Sequence, residues 1–199
     1  MSELLTYVHL GFHHVASLGA LDHILFLLAL AAVYRPRDWR EGLWVITAFT
    51  VGHSLTLAAV VTRVVELPGQ WIEFLIPVTI VLTCAANLLS ARADTPRPGR
   101  RRAIYAILFG LVHGAGFADY LRSMFLDHIV VPLVGFNLGI EAGQIVVLTL
   151  AGGILWCGDR LLGGLAAHGA TAGFRRRVVL VSLVAGVMAS GMALQRLPF

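Results

Sequence analysis

The stretch GFHHVASLGALDHILFLLAL, residues 11–30, decides the fold. Its second half is an apolar run suited to lipid, yet His13, His14, Asp22 and His23 stand within or just before it. A transmembrane helix needs roughly 20 mostly apolar residues. Runs of that kind recur along the chain, at 20–34, 43–62, 70–91, 103–122, 129–157 and 178–196. The first either begins near residue 20 or reaches back to Leu4 with a break at Gly19. With 58% hydrophobic and 13% charged residues, the chain is far too apolar for a water-soluble domain of its size. The expectation is an all-α integral membrane protein, residues 1–199 forming a single polytopic domain. It is a bundle of six transmembrane helices, or seven if residues 4–18 form a separate helix.

The charge pattern supplies an orientation. There is no lysine, and the 15 basic residues are all arginine. Arg35, Arg37 and Arg40 follow the first span, Arg92, Arg97 and Arg100–Arg102 the third, and Arg160 and Arg175–Arg177 the fifth. The opposite side holds only Arg63, Arg122 and Arg196. Positive loops stay in the cytoplasm, so both termini are expected outside. The arginines adjoin helix ends, which makes them topology signals and lipid-headgroup contacts; nucleic acid is not an expected partner. The N-terminus lacks the basic segment of a signal peptide, so the first span is expected to remain as an anchor. Without lysine, no Schiff-base cofactor can attach. Cys84 and Cys157 lie in apolar spans and read as packing residues. Gly and Ala abound in the spans and let helices approach closely, a property compatible with a homo-oligomer.

An ionisable side chain near the bilayer centre costs about 2.5–3.5 kcal/mol on insertion scales. This chain places such groups repeatedly: Asp22 and His23 in the first span, His53 in FTVGHSLTL (49–57), His113 in FGLVHGAGFADYL (109–121), and Glu141 in FNLGIEAGQ (136–144). Asn137, Glu141 and Gln144 share one helix face, as do Thr50, His53 and Ser54. His9 and His13 are also four apart. One buried histidine alone is usually a hydrogen-bonded packing residue. Four spans bringing His or Glu to similar depth instead suggest side chains converging on a common ion. Imidazole and carboxylate donors with almost no nearby Cys suit a divalent transition metal such as zinc or nickel. Around such an ion, His13, Asn137, Gln144 and Glu73 are expected as supporting groups.

GFHHVASLGALDHILFLL, FTVGHSLTL, IEFLIPVTI, FGLVHGAGFADYL and FNLGIEAGQ, taken in order, resemble the HupE/UreJ family of bacterial membrane proteins over about residues 9–148. Each motif is weak alone; five in sequence are specific. The resemblance implies a small metal permease or accessory protein associated with nickel supply, in the bacterial inner membrane. It assigns metal binding to His14, Asp22 and His23 in the first motif, His53 in the second, His113 in the fourth and Glu141 in the fifth. Val15 follows His14 where the nickel-associated branch has proline, and the wider interval to Asp22 places the chain nearer a shorter branch.

Two functions then compete. A permease would admit a divalent ion past Glu73 and Asp119, bind it among the histidines and release it inward; it requires polar groups to continue through the inner half of the bundle, where few are evident. An intramembrane zinc hydrolase would use Glu141 or Asp22 as general base, with Ser54 or Asn137 steadying an oxyanion, on a lipid or membrane-embedded amide or ester.

Overall fold

The computed structural model describes residues 2–17, 19–92, 101–118, 120–121, 129–163 and 170–199. Among these there are seven α-helices: α1 (Glu3–Ala16), α2 (Leu21–Ala31), α3 (Trp39–Val61), α4 (Gly69–Arg92), α5 (Arg101–Gly116), α6 (Val130–Gly163) and α7 (Ala170–Gln195). Four of them, α3, α4, α6 and α7, are long and apolar enough to cross a bilayer. Consecutive helices α1 and α2 together have the length and apolar character for a span but are bent by 69° at the break between them, the geometry of a broken span or of a re-entrant loop. The remaining helix, α5, is apolar but short.

Polarity is inverted relative to a water-soluble protein. Leu55, Leu150, Ile154 and Val187 face outward, while His53, His113, Gln144, Asn87 and Ser182 are buried. Water would penalise that apolar surface, whereas hydrocarbon leaves polar groups nowhere to go but inward. The protein is therefore a multi-pass membrane protein.

Two of the expected spans are longer than their apolar runs, α6 continuing to Gly163 and α7 beginning at Ala170, and two are interrupted. The expected helix 103–122 is interrupted after Gly116, where Phe117 is in a turn; Gly114 and Gly116 weaken helical backbone there. The first span divides as its Ser-Leu-Gly sequence suggests: Ser17 leaves α1 in an extended conformation (φ −78°, ψ 147°).

Glycine sets how closely the helices pair. A Cβ on Gly110 would overlap the carbonyl oxygen of Phe49, and one on Gly114 that of His53. The reciprocal contact puts Gly52 of α3 against the Ile107 carbonyl of α5. The matching registers, 49 with 110 and 53 with 114, show that α3 and α5 run parallel. Helices α1 and α6 do the same: Gly135, Gly139 and Gly143 face Leu4, Val8 and Phe12 in turn. Only a residue without a side chain permits such backbone contact. The third pair, α4 and α7, is antiparallel: Asn87 near the C-terminal end of α4 and Arg177 near the N-terminal end of α7 reach the same end of α2, and Gly186 packs on Cys84 between them.

Against these pairs, α2 is tied by its C-terminal carbonyls, which have no partner within the helix. Asn87 Nδ2 donates to the Ala29 carbonyl at 2.7 Å, and Arg102 Nη1 donates to Asn87 Oδ1 at 2.9 Å. Arg177 donates to the carbonyls of Ala32 (3.2 Å) and Tyr34 (2.9 Å) and pairs with Asp159 at 2.6 Å. The end of α2 is thus held by α4, α5, α6 and α7, and its other end, bearing Asp22 and His23, is left to face the bundle interior.

Candidate functional site

Four imidazoles meet between the helices. His14 comes from α1, His23 from α2, His53 from α3 and His113 from α5. Ring centroids are 4.6 Å apart for His14–His23, 5.2 Å for His23–His113, 6.1 Å for His14–His53 and 6.4 Å for His23–His53. The break in the first span makes this possible. On one straight helix, nine residues of separation would put His14 and His23 on opposite faces and about 13 Å apart along the axis. Phenylalanines wall the cluster: Phe26 and Phe49 against His113, Phe117 and Phe136 against His14.

Hydrogen bonds select the tautomer of two rings. Asp22 Oδ1 lies 3.0 Å from His23 Nδ1. A carboxylate only accepts, so Nδ1 carries the proton and Nε2 is left with its lone pair. Thr79 Oγ1 donates to the Ile76 carbonyl at 2.7 Å and lies 3.0 Å from His113 Nε2. With its one proton spent, the hydroxyl accepts from Nε2–H, and His113 Nδ1 keeps the lone pair. Both lone-pair nitrogens are buried and without a hydrogen-bond partner, as are His14 Nε2 and both nitrogens of His53. A buried polar atom left unsatisfied costs about 1–3 kcal/mol, so five such nitrogens in one cluster are a large debt against packing alone. Among the described residues, however, no three His, Cys, Asp or Glu side chains stand in a ready-made coordination sphere.

The other expected site residues fall elsewhere. Asp22 reaches the cluster only through His23, and its second oxygen lies 3.7 Å from Arg196 Nη1. Glu141 Oε1 accepts from Thr47 Oγ1, and Gln144 Oε1 from Thr50 Oγ1, both at 3.0 Å. Thr50 is about 4.5 Å and Thr47 about 9 Å along α3 from His53, toward its N-terminus. His13 is not a support of the cluster, because it is exposed on the far side of α1, with its ring 4.4 Å from that of His9. Adjacent helical residues project about 100° apart, so His13 and His14 cannot share a face. Glu73 is exposed; Asp119 lies outside the described residues. Ser54 donates its one proton to the Thr50 carbonyl at 2.7 Å, and Asn137 Nδ2 donates one of its two to the Leu133 carbonyl at 2.9 Å, so of the groups proposed to steady an oxyanion Ser54 is already engaged.

Two threonines, Thr47 and Thr79, were not among the expected residues, and Thr50 was expected only as a neighbour on the His53 face. Thr47 and Thr50 extend a polar seam along α3 and α6, and Thr79 orients His113. Thr79, Thr83 and Asn87 recur at intervals of four, all buried, along one face of α4. That periodicity was available in the chain, but threonine is common enough in membrane helices to carry little signal by itself.

The family model described as HupE / UreJ protein matches residues 1–196. No curated protein and no solved structure matches the chain. An inward-facing imidazole cluster within membrane helices and a match over nearly the whole chain agree: the chain belongs to the HupE/UreJ family, which is associated with nickel or cobalt uptake or accessory roles.

Proposed function

We propose that the four-histidine cluster binds divalent nickel or cobalt as cargo, and that the protein is a permease of the inner membrane. The observation that carries this reading is the pair of fixed tautomers, which leave lone pairs on His23 Nε2 and His113 Nδ1 at one buried cluster. A ring bound through nitrogen at 2.0–2.1 Å places its centroid about 3 Å from the ion, so rings around a tetrahedral ion have centroids about 5 Å apart. The separations of 4.6–6.4 Å bracket that value. Rotation of His14 and His53, which the ion would enforce, completes the sphere. Asp22 and Thr79 act on the rings they hold, as outer partners of metal-bound histidines do.

The seam through Thr50–Gln144 and Thr47–Glu141 supplies polar groups beyond the cluster, the feature transport requires. Release follows because protons compete with the metal for the same lone pairs. In this reading the broken pair α1–α2 and the short α5 each serve as one span, making six, and both termini lie outside. The seam then runs from the cluster toward the cytoplasm.

Purified protein in detergent is expected to bind nickel(II), and proteoliposomes to take it up. Binding without uptake would reduce the protein to a metal-holding accessory; neither would remove the proposal. Thr79→Val, which keeps the shape but removes the oxygen that accepts from His113, is expected to weaken nickel binding about 10–100-fold by calorimetry. For topology, a Thr95→Cys variant in a background lacking Cys84 and Cys157 is expected to react with an impermeant maleimide only in inside-out vesicles. Labelling of right-side-out vesicles would reverse the orientation.

A further inference from the structure

We propose a second, shallower divalent-cation site on α1, built by His9 and His13. Four residues of helix bring two side chains to the same face. Here the rings lie 4.4 Å apart, tilted by 51°, both on exposed residues. That spacing suits two imidazoles sharing one ion, and a histidine pair at i and i+4 is an established metal-chelating arrangement on a helix. The pair opens into a cleft of about 480 Å3, lined also by Glu3, Thr6, Tyr7 and Leu10. The cleft contains a carboxylate and no arginine, so its charge favours a cation over an anion. Room for water remains there to complete the coordination of a weakly held ion.

The position of this pair gives it a use. His13 is on the open flank of α1 and His14, its neighbour in sequence, is in the buried cluster. One helix therefore separates an accessible two-histidine site from an enclosed four-histidine one. The exposed pair captures the ion and raises its local concentration beside the enclosed site. This relay rests on the cluster being a metal site; the His9–His13 site does not.

The test is calorimetric titration of the full-length protein in detergent with nickel chloride. Wild type is expected to bind two equivalents of different affinity. The double variant His9→Ala, His13→Ala is expected to lose the weaker and keep the tighter. The variant His53→Ala, His113→Ala is expected to lose the tighter and keep the weaker. If the His9/His13 variant retains both equivalents, or if wild type binds a single equivalent that only the His53/His113 variant abolishes, the surface site is overturned. A single equivalent abolished only by the His9/His13 variant would uphold the surface site and remove the buried one. Should the His53/His113 variant fail to fold, the loss or retention of the weaker equivalent in the His9/His13 variant still decides. Nickel is expected to protect His9 and His13 from diethylpyrocarbonate, read by mass spectrometry, and equal modification with and without nickel would overturn the site.

Discussion

His113→Ala is expected to weaken nickel binding by more than about 100-fold, beyond the 10–100-fold typical of losing a group that merely supports a ligand. The argument is local. His113 is 1% exposed, its Nε2 is engaged by Thr79, and its Nδ1 has no partner. Removing the ring removes a donor whose tautomer is already set and leaves Thr79 without its imidazole. His113→Gln provides the check on folding, because an amide can still reach Thr79 but is a poorer ligand for nickel. Calorimetry with both variants, beside a thermal melt of the apo proteins, separates lost coordination from lost structure. Nickel affinity unchanged in both variants would exclude His113 from the site and with it the shared-ion account of the cluster.

The second large effect concerns packing. Gly110→Val is expected to destabilise the protein by about 3 kcal/mol or more, the upper part of the range for overpacked cores. For a chain of this size that corresponds to a fall in melting temperature of about 6–12 °C. The reason is that the new side chain meets backbone, not a movable side chain. Its Cβ would overlap the Phe49 carbonyl oxygen and lie 3.0 Å from the His53 amide nitrogen. Helices α3 and α5 must then separate, and His53 and His113 separate with them, so nickel binding should fall along with stability. Gly153→Val is the matched control. Nothing lies within 4 Å of its Cβ position, and the change should be close to neutral. A melting temperature for Gly110→Val within about 1 °C of wild type would show that α3 and α5 do not pack as described.

Much of this architecture is legible in the chain because lipid is an exacting solvent. Apolar runs must be long enough to span, and an imidazole within a run stands out against its surroundings. His14, His23, His53 and His113 are visible for that reason, and they do come together. What lipid does not encode is which inward face meets which. Depth alone groups Glu141 with the imidazoles; the structure gives it Thr47, because the contact between α3 and α6 depends on helix rotation that no local pattern specifies. His13 illustrates the same limit at the scale of one residue. Its sequence neighbour enters the cluster while it faces away, and the deciding quantity is the 100° step of the helix. The short α5 is a third case, since mean hydropathy carries the expected span past Gly116 where the backbone turns. The positive-inside arrangement, by contrast, requires only a count of arginines; the parallel runs of α3 with α5 and of α1 with α6 fit alternating spans in either orientation.

The division of the four imidazoles among α1, α2, α3 and α5 has a consequence for biogenesis. The ribosome releases His14 and His23 first, His53 some 30 residues later and His113 after about twice that interval again. Until α5 has entered the membrane and settled against α3, the nascent chain carries only three of the rings and two of the four phenylalanines that wall them, Phe26 and Phe49. On the proposed function, metal capture at full strength therefore waits for α5, and a chain that has not yet inserted it is expected to hold the ion more weakly.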